Sequence, residues 1–497
     1  MEAMKKSVIP LGIILLSLAL AFSILTHDHD WGDDWAAYLM QSIAITKGET
    51  QEFLAHNTFT MRESTRFFGP DAYPWGLPAM LTPFVLACGP LDVFCLKFIN
   101  LIFFALFLWG FYAFLARRLP ILEACLLLAV FAVSPLLLQF NDIIQSDIPF
   151  LFFSTLALLL IEEIILRDST PLGSPRKNIW LGVILFFAFF VRTNGILLLA
   201  TLFLTQAYLY WRTRPRLALD PKRTLTIGLI PYLVFGLLTA INLMLFPAGE
   251  GSHLEHLGAL TPSTLLANLS AYVAMPSLFF ADLPQSAILY GLMLPFFLGG
   301  AVLNRKRDIH VIIYFLLSYA LFIFWPEQQG IRFLFPLLPF FVYFSYRGMT
   351  ATSFALTKKH QRLGAGLTRI LWLAVITVFA FASFGRALDN LEQGRGPYGN
   401  VFDPQSLELF EFVRANTPDD SVLAFYKPRA LRLFTGRDAL MIETCDALAK
   451  ADFVVLRKSR GAVDQIAPNE VTSCSPSLQV TEVFGNEKFV AYEILPR

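Results

Sequence analysis

The sequence predicts a polytopic α-helical membrane protein with about eleven transmembrane helices, followed by a small C-terminal α/β domain. Hydrophobic residues make up 56% of the 497 residues and charged residues only 15%, whereas a soluble protein carries roughly 25% charged residues. Long apolar runs recur throughout residues 1–390, which we predict to be the transmembrane domain. After Asn390 the composition becomes more polar, which marks residues 391–497 as a separate domain.

Each transmembrane helix is predicted from an apolar run long enough to cross a bilayer. The first run follows Lys5 and Lys6 and could also be a secretory signal peptide, but its length and the many runs after it favour an uncleaved span. The predicted spans are residues 8–25, 94–115, 121–138, 148–166, 179–191, 196–211, 225–246, 285–303, 309–325, 333–346 and 370–388.

The charges between these spans predict their orientation. All five loops assigned to the cytoplasm are basic, whereas the loops on the other side hold few Lys or Arg residues. This is the positive-inside pattern of multi-pass plasma-membrane proteins. It places residues 27–92, the loop 247–284 and the C-terminal domain outside the cytoplasm.

A short amphipathic helix is predicted over residues 33–46, directly after the first span. Asp33 and Asp34 stand at its start, where the helix dipole favours carboxylates. Asp34 and Tyr38 are four residues apart and therefore share one face. The two acids fit either simple helix capping or chemistry at the membrane surface, and the local sequence leaves both open. A second external helix, near residues 75–88, is predicted to lie along the membrane surface.

The C-terminal domain is predicted from alternating apolar residues and turn signals. We expect a helix over residues 404–416, strands over 421–426, 451–456 and 488–494, helical stretches near 428–434 and 443–450, and a hairpin turn at Gly485-Asn486.

The five cysteines form no CxxC pair, so the sequence shows no zinc or thioredoxin motif. Cys445 and Cys474 share the C-terminal domain and can pair if that domain lies outside the cytoplasm. Cys88, Cys95 and Cys125 lie in or near apolar segments and are expected to be unreactive buried residues.

Charged and polar groups at the external end of an apolar bundle are costly and are therefore candidate functional groups. Ordinary readings exist for some of them: Asp147 as a helix-start acid, Arg192 and Arg332 as arginines reaching the interface. However, the positive-inside bias disfavours arginine on this face, and arginine suits phosphate because its guanidinium is planar and always charged. The set comprises Asp33, Asp34, Asn141, Asp142, Asp147, Arg192 and Arg332.

Several other classes of function find little support. The near-neutral net charge of +1 argues against a nucleic-acid partner, and no nucleotide-binding motif is present. Residues 27–30 alternate His and Asp, but adjacent residues converge poorly on one ion, so a solvated loop is expected. His253 and His256 could bind a metal or a substrate, although a loop without either role is favoured. We predict no firm cofactor and leave a divalent metal open.

In their order and sidedness, these motifs resemble the GT-C glycosyltransferases of the protein O-mannosyltransferase and lipid A aminoarabinose transferase type. Trp35 stands where an acid often follows the catalytic Asp, and the Lys-Pro-Pro run of the aminoarabinose enzymes is missing. The similar segments are Gly32–Tyr38 (an Asp-x-x-x-Tyr motif), Tyr73–Pro78 (a proline-containing jaw helix), Ser146–Phe153 (a second external acid), Gly330–Pro339 (an Arg-aromatic-x-x-Pro element) and Phe410–Arg437 (the extracytoplasmic domain).

The resemblance implies an inverting glycosyltransferase that moves a sugar from a polyprenyl-phosphate donor to a lipid, glycan or protein hydroxyl. Asp34 falls on the catalytic Asp and would act as general base. The implied substrate-binding residues are Asp33, Tyr38, Tyr73, Asp147, Arg192 and Arg332, with the two arginines facing the phosphate. The alternatives are a membrane transporter, or a non-catalytic protein that binds lipid-linked sugars.

Overall fold

The structure is a computed structural model, which describes residues 2–66, 68–166, 174–213, 221–249, 260–325, 328–356, 361–396, 399–459, 465–474 and 478–496. These residues are mostly helical, with one small sheet near the C-terminus.

The helices follow the apolar runs of the sequence and the amphipathic segments between them. They are α1 (Glu2–Ile24), α2 (Asp33–Lys47), α3 (Thr50–Glu63), α4 (Gly76–Cys88), α5 (Val93–Leu96), α6 (Phe98–Ala116), α7 (Ile121–Ala132), α8 (Pro135–Asn141), α9 (Asp147–Ile161), α10 (Pro175–Val191), α11 (Ile196–Thr213), α12 (Pro221–Leu245), α13 (Pro262–Ala274), α14 (Ser286–Asn304), α15 (Ile309–Ile323), α16 (Leu338–Leu356), α17 (Gln361–Glu392), α18 (Pro404–Asn416), α19 (Pro428–Thr435) and α20 (Pro468–Val471).

Within the described residues, seven helices are long and apolar enough to cross a membrane, or eight if the bent pair α7–α8 counts as one span. The eleven predicted spans all overlap helices. Six of them correspond to membrane-length helices and one to the bent pair, whereas α1 and α15 contribute only shorter apolar helices and α10 and α16 are not among the helices of either kind. The external helices predicted near 33–46 and 75–88 are present as α2 and α4.

The predicted loop 247–284 contains a helix that the sequence reading missed. α13 and the 3₁₀ turn Met275–Phe280 that follows it are together long and apolar enough to cross a membrane. The start signal is visible in retrospect, because Thr261 caps the helix and Pro262 occupies its first turn. The lack of Lys and Arg in residues 247–284 fits an external loop, but it also characterises an apolar helix. His253 and His256 of the same loop lie outside the described residues.

α14 and α16 pack with their backbones in close contact, because glycines face each other across the pair. A Cβ atom added to Gly300 would lie 1.9 Å from the carbonyl oxygen of Phe344, and one added to Gly348 would lie 1.9 Å from the carbonyl oxygen of Phe296. Small residues allow this approach in membrane bundles, where close packing replaces the hydrophobic driving force.

The variant Gly300→Ala is therefore expected to destabilise the bundle, by about 1–3 kcal/mol or more. Thermal unfolding in detergent measures the effect. Gly299→Ala is the matched control, since nothing lies within 4 Å of the added methyl group there. Equal melting temperatures for the two variants would contradict the packing described.

The C-terminal residues form a five-stranded sheet flanked by α18 and α19. Its strand order is β2-β1-β3-β5-β4, with β1 parallel to β2 and β3, and β5 antiparallel to β3 and β4. The strands are β1 (Val422–Ala424), β2 (Asp438–Leu440), β3 (Phe453–Arg457), β4 (Leu478–Gly485) and β5 (Phe489–Pro496). The predicted strands correspond to β1, β3 and β5. β2 was missed because it is only three residues long, and β4 because it lies at an edge and is largely exposed.

Two disulfides are present. Cys445 is bonded to Cys474, which is the pairing that the sequence left open. Cys88 is bonded to Cys95, so the expectation of two unreactive buried cysteines is wrong there. The apolar surroundings concealed that these residues lie at the end of α4 and in α5, close enough to pair. Cys125 is free and buried, as expected.

Candidate active site

The site is built on the first turn of α2. Gly32 precedes this helix in an extended conformation, and Asp33 and Asp34 follow it with their backbones in the first turn, where carboxylates are stabilised by the helix dipole. Trp35 is fully buried, and α2 packs against α3, α4 and α19. The position of the acids is therefore fixed by the packing of the whole helix.

The Asp34 carboxylate accepts two hydrogen bonds from different parts of the chain. The Tyr73 hydroxyl donates to Oδ1 at 2.6 Å, and Nη1 of Arg332 donates to Oδ2 at 3.0 Å. Burial raises the pKa of Asp34, but Arg332, the Tyr73 hydroxyl and the charge of Arg429 outweigh it, so its pKa is lowered. The side chain keeps 23% of its surface exposed. Asp34 is thus an ionised carboxylate that a substrate can reach.

The backbone of Tyr73 is held by a pair of hydrogen bonds to one amide side chain. Gln41 Nε2 donates to the Tyr73 carbonyl at 2.9 Å, and the Tyr73 N–H donates to Gln41 Oε1 at 3.1 Å. The Tyr73 ring lies against that of Tyr38, with centroids 4.6 Å apart. At the start of α4, a Cβ atom on Gly76 would lie 2.4 Å from the carbonyl oxygen of Phe190. Gly76 thus lets this segment contact the end of α10.

A second acid–arginine pair lies beside the first. Arg192 Nη1 donates to Oδ1 of Asp147, and these side chains are only 12% and 2% exposed. The Arg192 guanidinium lies 4.2 Å from the ring centroid of Phe333, and that of Arg332 lies 5.5 Å from the same ring. Both guanidinium groups therefore lie next to the ring of Phe333, in the 3₁₀ turn Ile331–Leu334 that precedes α16.

Tyr38 connects the two pairs. Its hydroxyl donates to Ser146 Oγ at 3.1 Å, one residue before Asp147, and its ring stands one helical turn after Asp34. Burial, followed by the charge of Asp34, raises the pKa of Tyr38 to about 12. The phenol stays protonated and can act as a hydrogen-bond donor.

Six of the seven predicted site residues therefore form one cluster: Asp34, Tyr38, Tyr73, Asp147, Arg192 and Arg332. Asp33 instead faces the C-terminal residues, where its Oδ1 accepts from the backbone N–H of Ala430 at 3.3 Å. Asp142 is also turned away, because it forms a 2.7 Å ion pair with Lys97, which is fully buried. Asn141 donates to the carbonyl of Leu137 within its own helix.

The predicted solvated loop over residues 27–30 is wrong in its main feature. Asp28 and His29 are buried, and Asp28 accepts from the backbone N–H groups of Asn400 and Phe402. The His29 ring stacks on Trp35 and its Nε2 accepts from the N–H of Ile144. Through these hydrogen bonds, the loop is held against the segments around Ile144 and Asn400. In the part of the chain that the structure describes, no group of three or more His, Cys, Asp or Glu residues could hold a metal ion.

The sequence reading missed Gln41, Ser146, Phe333 and Arg429. Gln41 carried a weak signal, since it lies on the helical face next to Asp34 and Tyr38. Arg429 carried none, because an arginine in a polar domain is ordinary.

Burial raises the pKa of Asp33 to about 6, against the opposing effects of Arg429, Lys427 and the Ala430 N–H. Because this folded-state pKa lies above the unfolded value, Asp33 contributes stability that is fully present below about pH 4 and is lost as the pH rises through 6. Asp33→Asn should therefore raise the melting temperature at pH 7.5, by an amount equivalent to about 3 kcal/mol at most. The gain should shrink at pH 5.

The control for this prediction is Asp420→Asn, since Asp420 is exposed and its replacement should leave both melting temperatures unchanged. A stability loss in Asp33→Asn that is equal at both pH values would contradict the burial argument.

Known structures share this architecture. The search of solved structures gives ArnT from Cupriavidus metallidurans in the apo state, with a TM-score of 0.56, 11% sequence identity and 97% of each chain covered. The same protein bound to undecaprenyl phosphate gives a TM-score of 0.54 at 12% identity, again with 97% of each chain covered. The archaeal oligosaccharyltransferase AglB from Archaeoglobus fulgidus, in complex with an inhibitory peptide and a dolichol-phosphate, gives 0.55 at 11% identity, covering 97% of this chain and 74% of AglB.

The chain therefore shares the fold of ArnT and AglB, which is consistent with the fold expected from the resemblance of its motifs to the GT-C glycosyltransferases. No protein-family profile and no curated protein sequence matches it. At identities of 11–12% the likeness establishes the fold alone, and the chemistry must be argued from the residues of this chain.

Proposed function

We propose that the chain is an inverting glycosyltransferase that takes its sugar from a polyprenyl-phosphate donor. The observation that carries this proposal is the ionised, partly exposed Asp34 carboxylate in contact with Arg332, with the Asp147–Arg192 pair beside it. A base next to guanidinium groups is what transfer from a phosphate leaving group requires. The GT-C fold, and the undecaprenyl phosphate bound to its ArnT neighbour, support the choice of donor.

In the proposed reaction, the acceptor hydroxyl oxygen attacks C1 of the donor sugar from the side opposite the phosphate. Asp34 takes the hydroxyl proton as the new C1–O bond forms. The bond between C1 and the phosphate oxygen breaks, its electron pair leaves with polyprenyl phosphate, and the configuration at C1 inverts. Arg332 and Arg192 offset the charge that develops on the leaving phosphate.

The remaining residues would hold the substrates. Asp147 fixes Arg192 through its ion pair and would position a sugar or acceptor hydroxyl. Tyr38 and Tyr73 present two rings in contact next to Asp34 and would orient the sugar. The substrate contact of Asp33 stays a prediction, since its carboxylate faces Ala430.

We further propose that the site lies on the outer face of the plasma membrane. Cys88, Cys445 and Cys474 belong to segments that the charge pattern assigns to that face, and Cys95 lies at the external end of the predicted span 94–115. Disulfides persist in oxidising compartments. In this arrangement residues 1–390 form the transmembrane domain with eleven spans. Residues 391–497 form an external domain that shapes access for a lipid, glycan or protein acceptor.

Reconstituted protein tests the proposal directly. Proteoliposomes would be supplied with a panel of undecaprenyl-phosphate-linked sugars and a cell-envelope extract as acceptor, and released undecaprenyl phosphate and labelled product would be measured. We expect release with at least one donor, coupled one-to-one to product. No release with any donor would reject the proposal, and movement of intact labelled sugar across the bilayer would favour a transporter.

A further inference from the structure

Arg429, from the C-terminal residues, is buried against the proposed active site. Its side chain is 1% exposed, and it stands at the start of α19, in the turn that contacts the first turn of α2. Nothing in the proposed reaction uses this arginine. A buried guanidinium is costly unless its donors are paired, so its partners indicate what it is for.

The guanidinium of Arg429 donates to two segments, the one that carries Tyr73 and helix α3. Nη1 donates to the Tyr73 hydroxyl at 3.4 Å, and Nη2 donates to the carbonyl of Pro70. On α3, Nε donates to Asn57 Oδ1 at 3.1 Å, and Nη2 also donates to Met61 Sδ at 3.2 Å. The described residues include no carboxylate within 4.0 Å of this guanidinium. Its charge is balanced at longer range by Asp34 and Asp33, since the positive charge of Arg429 acts to lower the pKa of both carboxyl groups.

These contacts include two consecutive hydrogen bonds that lead from Arg429 to Asp34, the proposed base. Arg429 donates to the Tyr73 hydroxyl, and the same hydroxyl donates its own proton to Asp34 Oδ1 at 2.6 Å. The two hydrogen bonds need a glycine at position 69, because a Cβ atom there would lie 2.9 Å from Arg429 Nη1 and 3.2 Å from the Tyr73 hydroxyl oxygen. Arg429 offers only donors and the ionised Asp34 carboxylate only accepts. The Tyr73 hydroxyl therefore accepts from Arg429 and donates to Asp34, and the two contacts together set its orientation.

We infer that the C-terminal domain completes the active site through Arg429, a positioning residue that orients the Tyr73 hydroxyl toward the Asp34 carboxylate. The inference rests on the proposed function and adds a role for a domain that would otherwise only shape acceptor access. It also predicts that transfer depends on docking of α19 against α2, since one buried side chain joins the two.

The groups that face Asp34 define the pH dependence. They are Asp33 and Tyr38 on α2, Tyr73 before α4, Arg332 before α16 and Arg429 on α19. The positive charge of Arg429 lowers the pKa of Asp34. Loss of that charge should move the acid limb of kcat against pH to higher pH.

A double-mutant cycle with Arg429→Lys and Tyr73→Phe is the deciding experiment. Lysine keeps the buried charge, which favours folding, but its single ammonium cannot replace the four contacts of the guanidinium. We expect Arg429→Lys to lower kcat by roughly 10–100-fold, with the donor KM within about twofold of wild type. In the Tyr73→Phe background the same replacement should cost little, because its target hydroxyl is gone.

Arg437→Lys is the matched control. Arg437 is also buried in the C-terminal domain, but its partners are Asp419, Thr417 and the carbonyl of Arg414, none of which belongs to the proposed site. The variant Arg437→Lys should change the stability of the protein without changing kcat or the pH profile of transfer. Arg429→Gln adds the charge test and should shift the acid limb to higher pH.

Additive losses in the cycle, or equal kcat effects of Arg429→Lys and Arg437→Lys, would overturn the inference while wild-type transfer stands. Absence of transfer by the wild-type protein would instead reject the proposed function. If Arg429→Gln does not fold, the cycle with lysine still decides the question.

Discussion

Replacing Asp34 with asparagine is expected to lower glycosyl transfer by about 10²–10⁴-fold, because the acceptor hydroxyl loses its general base. Asparagine has nearly the same shape and can still accept one hydrogen bond from Tyr73 or Arg332, whose contacts with Asp34 are 2.6 and 3.0 Å long. The change therefore removes the charge and the basicity while largely preserving the site. Transfer of label from an undecaprenyl-phosphate sugar in membranes measures the loss.

The control for this variant is Asp92→Asn. Asp92 is exposed and caps the short helix α5, where its Oδ1 accepts from the Cys95 N–H, and asparagine caps a helix equally well. This variant should transfer at the wild-type rate. Near-normal turnover by folded Asp34→Asn protein would exclude Asp34 as the base, whatever the behaviour of the control.

Replacing Arg332 with alanine should weaken donor binding and lower transfer, by about 10²–10³-fold in kcat. Arg332 is the more exposed of the two site arginines, with 27% of its side chain accessible compared with 12% for Arg192. Its loss should leave the fold intact, and it would raise the pKa of Asp34, because Arg332 opposes the effect of burial on that carboxyl. The acid limb of the pH profile should move to higher pH. Undecaprenyl phosphate titration and steady-state kinetics measure the two effects.

Arg386→Ala is the matched control, since Arg386 forms an exposed ion pair with Asp282 away from the cluster and should be neutral. Added guanidinium should partly restore transfer to Arg332→Ala, because the missing group is a planar cation that fits a phosphate. Unchanged affinity for undecaprenyl phosphate in Arg332→Ala would count against the phosphate role.

The local parts of this fold could be predicted from the sequence. α2 was predicted because the spacing of its apolar residues and the acids at its start are both local signals. The assembly of the cluster required more, since Asp34 and Arg332 are 298 positions apart. It was predicted only because the loop charges placed both residues on one membrane face and the motifs resembled the GT-C enzymes.

The errors arose where a distant partner decides the outcome. Asp28 and His29 look like solvated polar residues, but segments more than a hundred positions away supply their hydrogen bonds. Arg429 meets Tyr73 across 356 positions, and no local pattern distinguishes it from other arginines of its domain. The sequence did not predict α13 because a segment without Lys or Arg fits an external loop as well as it fits an apolar helix.

The most direct measurement compares lipid-linked sugars and envelope glycans in cells that carry wild-type protein or Asp34→Asn. Mass spectrometry of both pools identifies the donor and the acceptor together. The account predicts that the variant accumulates one polyprenyl-phosphate sugar and lacks the same sugar on an envelope lipid, glycan or protein. Identical pools and identical glycans in the two strains, with equal amounts of folded protein, would contradict it.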